Sequence, residues 1–151
     1  MGQTRTDDAV DTFLEATRAN DVDGIVSTLA PNAELRSPLF ARMVFRGRDD
    51  LRVLLGAVYG GLSNLVWREV IGEGTTRVAV SDARIAGVTI TDAMVLELDG
   101  AGLIVGLRPH LRPWLAITLF ALLLGPKMAR HPGVLSRALR RSASSYFGQN
   151  G

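Results

Sequence analysis

Hydrophobic residues in this chain change their spacing once, near residue 62. Before that point they recur at helical intervals. In residues 7–19, DDAVDTFLEATRA, the side chains of Val10, Phe13, Leu14 and Thr17 fall on one face, the three-and-four spacing of a half-buried helix. Asp7 and Asp8 stand where the helix dipole favours negative charge. Asn20-Asp21 predicts the cap of a short second helix carrying Ile25, Val26 and Leu29, with Pro31-Asn32 ending it. Ala33–Leu39 reads as a strand. A third helix, from about Arg48 to Tyr59, turns Leu51, Leu54, Leu55 and Val58 inward and stops at Gly60-Gly61. Beyond residue 62 the period is that of strands, and the pattern predicts Asn64–Ile71, Thr76–Ile85, Thr89–Leu98 and Leu103–Leu111, separated by glycine-bearing turns. Helices followed by hairpin-linked strands predict an α+β domain with a largely antiparallel sheet.

A different pattern follows. Trp114–Gly125, WLAITLFALLLG, is apolar on nearly every side, yet it is too short for a bilayer, which needs about 20 residues. Pro126 and Pro132-Gly133 separate it from a basic segment, Val134–Arg141, and the last ten residues read as disordered. The expected organisation is one domain over 1–125 and a basic helical extension and tail over 126–151. The apolar helix suits a lid over the domain's mouth, a homodimer contact, or a resting place on a membrane surface.

Composition narrows the chemistry. With 47% hydrophobic and 21% charged residues the chain can bury a core, and with no cysteine it has no thiol nucleophile, disulfide or cysteine-held zinc. Two histidines, His110 and His131, are too few for a typical transition-metal cluster. No metal or cofactor is expected. The first residues carry no apolar signal core, so the cytoplasm is the expected location. Charge is unevenly spread: residues 1–99 hold 10 Arg and 15 Asp and Glu, whereas residues 100–151 hold 7 Lys and Arg and no acid. Such a basic end reads either as a solvated helix face or as a contact for an anionic surface. A lid or homodimer contact is the favoured role of the apolar helix and a homodimer the expected assembly; peripheral contact of the basic end with an anionic membrane is the alternative, and nucleic acid is not expected.

The stretch Phe13–Leu39, with Ala19-Asn20-Asp21-Val22-Asp23-Gly24-Ile25-Val26, then Pro-Asn-Ala-Glu and Ser37-Pro38, resembles the first third of bacterial ketosteroid isomerases and their relatives. Asp99-Gly100-Ala101-Gly102-Leu103-Ile104-Val105 is similar to the turn before that family's last strand. The resemblance covers residues 7–111 and implies the nuclear transport factor 2-like superfamily, in its SnoaL-like, isomerase-like and limonene-epoxide-hydrolase-like branch. It implies a cone-shaped barrel, a curved sheet wrapped on N-terminal helices around a pocket for a small apolar molecule. The isomerase's own residues do not carry over. Phe13 stands at the oxyanion-binding tyrosine, Ser37 at the general-base aspartate and Met94 at the protonated aspartic acid. The hydrolase's Arg-x-Asp falls on Val80-Ser81-Asp82 and its second aspartate on Pro109, so Asp82 alone survives.

One constellation remains. Pairing the strands about Gly87 sets Asp82 opposite Asp92 and puts Asp82, Arg84, Asp92, Met94, Leu96 and Leu98 on one face. An Asp82–Arg84–Asp92 cluster in an apolar pocket can hold two carboxyls in opposite protonation states and activate water or move a proton. A one-residue slip instead turns Asp82 and Arg84 to solvent, since Ala79, Ser81, Ala83 and Ile85 form a second apolar face. Further pocket candidates are Phe13, Ser37, Tyr59, Trp67, Met94, Leu96 and, at the rim, His110; Arg46 and Arg48 read as surface charges. Three functions follow. The first is a SnoaL-like binder of a small hydrophobic molecule. The second is a cofactor-free hydrolase, isomerase or cyclase using the Asp–Arg–Asp cluster. The third is a docking module acting through the apolar helix and basic tail.

Overall fold

The structure is a computed structural model that describes residues 8–40 and 42–144. Helix α1, Ala9–Ala19, starts where the Asp8 carboxylate accepts the Val10 N–H at 3.2 Å and ends at Asn20, in the left-handed conformation with φ 52°. It buries Val10, Phe13, Leu14, Ala16 and Thr17. Helix α2, Val22–Ser27, is capped by Asp21, which accepts the Gly24 N–H at 3.0 Å. A Cβ at Gly24 would come 2.6 Å from that same carboxylate, so a larger residue there would displace the cap.

The chain then enters the sheet earlier than the prolines predict. Strand β1 runs Leu29–Arg36, with Pro31 inside it, and is followed by the short β2, Val44–Arg46, which the sequence pattern does not reveal. Helix α3 spans Arg48–Gly61 and buries Asp50, Leu51, Leu54, Leu55 and Tyr59. Arg48 is no surface charge: its guanidinium donates to the Leu29 carbonyl at 2.9 and 2.6 Å, tying α3 to β1. Arg46 forms an ion pair with Glu34 across β1 and β2.

Strands β3 (Ser63–Ile71), β4 (Thr76–Ile85) and β5 (Val88–Leu98) form a meander, followed by β6 (Ile104–Arg108) and β7 (Leu111–Arg112). The sheet order is β2-β1-β6-β5-β4-β3, with β7 on β5; β1 and β6 are parallel and the other pairs antiparallel. The sheet is open, ending at β2 and β3, and does not close into the barrel expected from the resemblance. The strand expected over Leu103–Leu111 is broken at Pro109-His110, because proline offers no N–H to the ladder. The chain rejoins β5 two residues on, with Leu111 opposite Asp92.

Helix α4, Trp114–Ala129, continues through Pro126 instead of stopping at Gly125. The carbonyl that Pro126 leaves unbonded is that of Leu122, which is 65% exposed, so water can take it. The expected boundary between 125 and 126 thus falls inside a helix. Helix α5, Pro132–Ser144, packs on β2, and Val134 and Ala138 join Phe13, Leu51, Leu96 and Leu107 in one core. The Arg137 guanidinium donates to both oxygens of Asp50, at 3.0 and 2.7 Å, which binds α5 to the start of α3. The terminal residues read as disordered lie, from 145 on, outside the described residues.

Candidate functional site

Between the inner face of the sheet and helices α3, α4 and α5 lies a cavity of about 340 Å³, walled mainly by Leu, Met, Phe and Val side chains. Its polar groups are few: Ser37, Tyr59, Ser81 and Asp92. Asp92 is the only ionisable acid among the described lining residues.

The register of the β4–β5 hairpin decides which acid faces inward. Ile85 pairs with Val88, Asp82 with Thr91 and Ser81 with Asp92. The loop is therefore the two residues Ala86 and Gly87, with φ 48° and 80°, the left-handed pair that a tight hairpin requires. This is one residue away from pairing centred on Gly87. Alternation then puts Ala79, Ser81, Ala83 and Ile85 inside and Asp82 and Arg84 outside. Asp82 accepts hydrogen bonds from Arg68 Nε at 2.9 Å and Thr91 Oγ1 at 2.8 Å on the outer face, and these hold its pKa below the usual range. Arg84 is exposed. The Asp82–Arg84–Asp92 cluster is not assembled, and only Asp92 of the three lines the cavity.

The break in the last strand helps to set Asp92. The His110 N–H, freed from the ladder, donates to Asp92 Oδ1 at 3.0 Å, while the His110 Nδ1 lies 3.2 Å from the Ala93 carbonyl. Burial pushes the Asp92 pKa up to about 6, against the lowering effects of the His110 N–H and imidazole. The second carboxylate oxygen makes no hydrogen bond to a described residue. Tyr59, 6% exposed, has its pKa raised by burial and then by the nearby charge of Asp92. Neither the Tyr59 hydroxyl nor that of Ser81, 4% exposed, has a hydrogen-bond partner among the described residues. Buried hydroxyls ordinarily find partners, so these two are open to one supplied from within the cavity.

The other candidates are dispersed. Met94 lines the cavity, as does Ser37, whose Oγ also accepts the Leu39 N–H at 3.2 Å and so holds its own turn. Phe13 lies behind the wall, its ring edge-on to Tyr59 with centroids 6.3 Å apart. Trp67 donates its indole N–H to Thr17 Oγ1 at 3.0 Å, joining β3 to α1, and Leu96 is buried in the core. His110 is exposed and does not line the cavity. Sequence reasoning passes over Ser81, which strand parity could have revealed, and over Phe120 and Leu124, whose i, i+4 spacing puts one side of α4 into the cavity wall. Among the described residues, no group of three or more acids and histidines gathers as a metal site would need.

Comparison with known proteins agrees with this architecture. An uncharacterised bacterial protein with a cystatin-like fold from Silicibacter pomeroyi DSS-3 superposes with a TM-score of 0.82 at 19% identity, over 89% of this chain and 96% of its own. A steroid delta-isomerase from Pseudomonas aeruginosa gives 0.74 at 20% identity, over 83% and 95%. The epoxide hydrolase/cyclase-like enzyme SalBIII, linked to pyran ring formation in the polyether salinomycin, gives 0.59 at 17% identity, over 70% and 89%. Identities this low speak for the fold alone. No curated protein sequence matches the chain. Residues 10–106 match the SnoaL-like domain family. The chain belongs to the SnoaL-like family and has the nuclear transport factor 2-like fold.

Proposed function

We propose that this protein binds a small, mainly apolar molecule bearing one hydrogen-bonding group, which meets Asp92, Tyr59 and Ser81. The observation that carries the reading is the composition of the cavity wall, apolar throughout except for a few hydroxyls and one carboxyl. Apolar walls supply affinity by removing hydrocarbon surface from water, and sparse polar groups fix orientation. The test is uptake of an apolar fluorescent probe by the purified protein, with native mass spectrometry for any molecule that co-purifies. Ala83→Phe, which fills the cavity from β4, is expected to abolish uptake while the protein stays folded. Unchanged uptake in folded A83F would refute the reading.

A second reading, acid–base catalysis on the bound molecule, is favoured by the raised pKa of Asp92 beside two hydroxyls that have no partner among the described residues. A carboxylate with a pKa of about 6 is ionised at neutral pH, yet more basic than an exposed one. Asp92 would take a proton from carbon or water, and the Tyr59 hydroxyl would donate to the oxygen that gains charge. The similarity to a steroid isomerase and to an epoxide hydrolase/cyclase-like enzyme makes carbonyl and epoxide compounds the first substrates to try. Turnover should rise with pH through about 6 and vanish in Asp92→Asn.

A further inference from the structure

Helix α4 presents hydrocarbon to both of its sides. Its inner side, with Ala116, Phe120 and Met128, is buried against the sheet and α3. Its outer side should then be charged, as the water face of a surface helix ordinarily is. Instead Trp114 is 76% exposed, Leu122 65% and Leu123 45%, and no charged residue occurs from Trp114 to Pro126. Leu139 on α5 is a further 56% exposed.

The charged residues on α4, α5 and the segments joining them are of one sign, and the nearest acid of α3 to α5, Asp50, is buried and paired with Arg137. Arg112 precedes α4, Lys127 and Arg130 follow its apolar part, and Arg140 lies on α5; residues 100–151 contain no acid. Helix α3, which packs against α4, has no charged residue from Val53 to Gly61 either. Asp92, opposite β7, faces the cavity instead. An apolar face with an exposed tryptophan and a one-signed basic border matches what an interfacial helix offers to anionic lipid.

We infer that the outer face of α4, with the exposed part of α5, docks on an anionic membrane surface, with Trp114 and Leu122 entering the interface. Among the described residues no helix is long and apolar enough to cross a membrane, so the contact is peripheral. A second copy of the chain is a poorer occupant. A two-fold contact through this face brings the basic border of one copy (Arg112, Lys127, Arg130 and Arg140) against that of the other, with no acid on α4 or α5 to offset it. The geometry also connects the face to the cavity. Gly125, on α4, lines the cavity and is exposed, so the cavity wall reaches the surface on the helix that carries the docking face. Docking is independent of what the cavity holds.

The test is co-sedimentation of the full chain with vesicles of phosphatidylcholine alone and of phosphatidylcholine mixed with phosphatidylglycerol. Binding is expected to the mixed vesicles only, with lipid-borne bromine quenching Trp114 while the buried Trp67 is spared. Leu122→Asp should lower partitioning by about tenfold or more. Neutralising Lys127 and Arg130 together should lower it by about fivefold per charge. Leu122 is exposed, so L122D should melt as the parent does; if it does not fold, Trp114→Ser serves the same purpose. Absence of binding to anionic vesicles would overturn the inference. So would binding that L122D and W114S leave intact, or a dimer that L122D dissociates in a chain that ignores vesicles.

Discussion

Replacing Asp92 with Asn is expected to stabilise this protein, and to do so only when the parent's carboxyl is ionised. In the unfolded chain that carboxyl titrates near 3.8, and in the folded protein near 6. Each unit of separation is worth about 1.36 kcal/mol, so ionising Asp92 in the fold costs about 3 kcal/mol in full. Asp92 keeps some solvent contact, which reduces the working figure to about 2 kcal/mol. A raised folded pKa in an acid means that the fold favours the protonated form. The stability from this group is whole below about pH 3.8, declines as pH rises toward 6, and stays lost above that. Asn cannot ionise and still offers an oxygen to the His110 N–H. Thermal unfolding by circular dichroism should therefore show parent and D92N melting together near about pH 4. At about pH 8 the variant should lead by roughly 4–8 °C, since about 1 kcal/mol moves a domain of this size by roughly 2–4 °C. A difference that does not change with pH, or a less stable D92N at high pH, would show that the fold does not penalise the ionised carboxylate. The account of the cavity's polar end would then fail.

Three further outcomes follow from the same geometry. Asp82→Asn should leave uptake of an apolar probe unchanged, because Asp82 bonds to Arg68 and Thr91 on the outer face; altered uptake would mean that the hairpin register is wrong. Ala86→Asn should raise stability by about 0.5–1 kcal/mol, read as melting temperature, because asparagine tolerates the left-handed φ that alanine resists and Asn-Gly is the preferred tight hairpin pair. Arg137→Ala should speed hydrogen exchange across 132–144, since it removes the guanidinium from the buried Asp50; unchanged protection there would show that apolar packing alone holds α5.

The parts of the fold that can be read from the sequence are those whose signal is local. Phe13, Leu51, Leu54 and Leu55 repeat at helical spacing and lie in the core; Thr76–Ile85 alternates and is a strand to the residue. The parts that cannot be read depend on contacts between distant segments. β2 is three residues long and exists because β1 supplies its ladder. Pro126 lies inside α4 because its neighbourhood is open to water. The hairpin is the instructive case. Alanine seldom takes a left-handed φ, so Gly87 draws the eye as the centre of the turn, yet the centre lies between Ala86 and Gly87. The small residues Ala79, Ser81 and Ala83 hold the right answer in plain view, since they are the ones that leave room for a cavity. Asp92 is legible because β5 has only one apolar face; its raised pKa comes from burial by distant segments, and its tie to His110 from the strand break at Pro109.

That hairpin also sets the chemical character of the pocket by simple counting. A strand has two faces, and the residue number of one turn decides which face a guest molecule meets. Inserting one residue before Ala86, with β5 and the two-residue turn kept in place, would move β4 by one position, carry Ser81 and Ala83 outward and bring Asp82 and Arg84 in, making an ionic chamber of a nearly dry one. A protein lineage with this architecture could thus pass between two classes of guest by a single codon inserted at a surface loop. No residue of the wall itself would have to change.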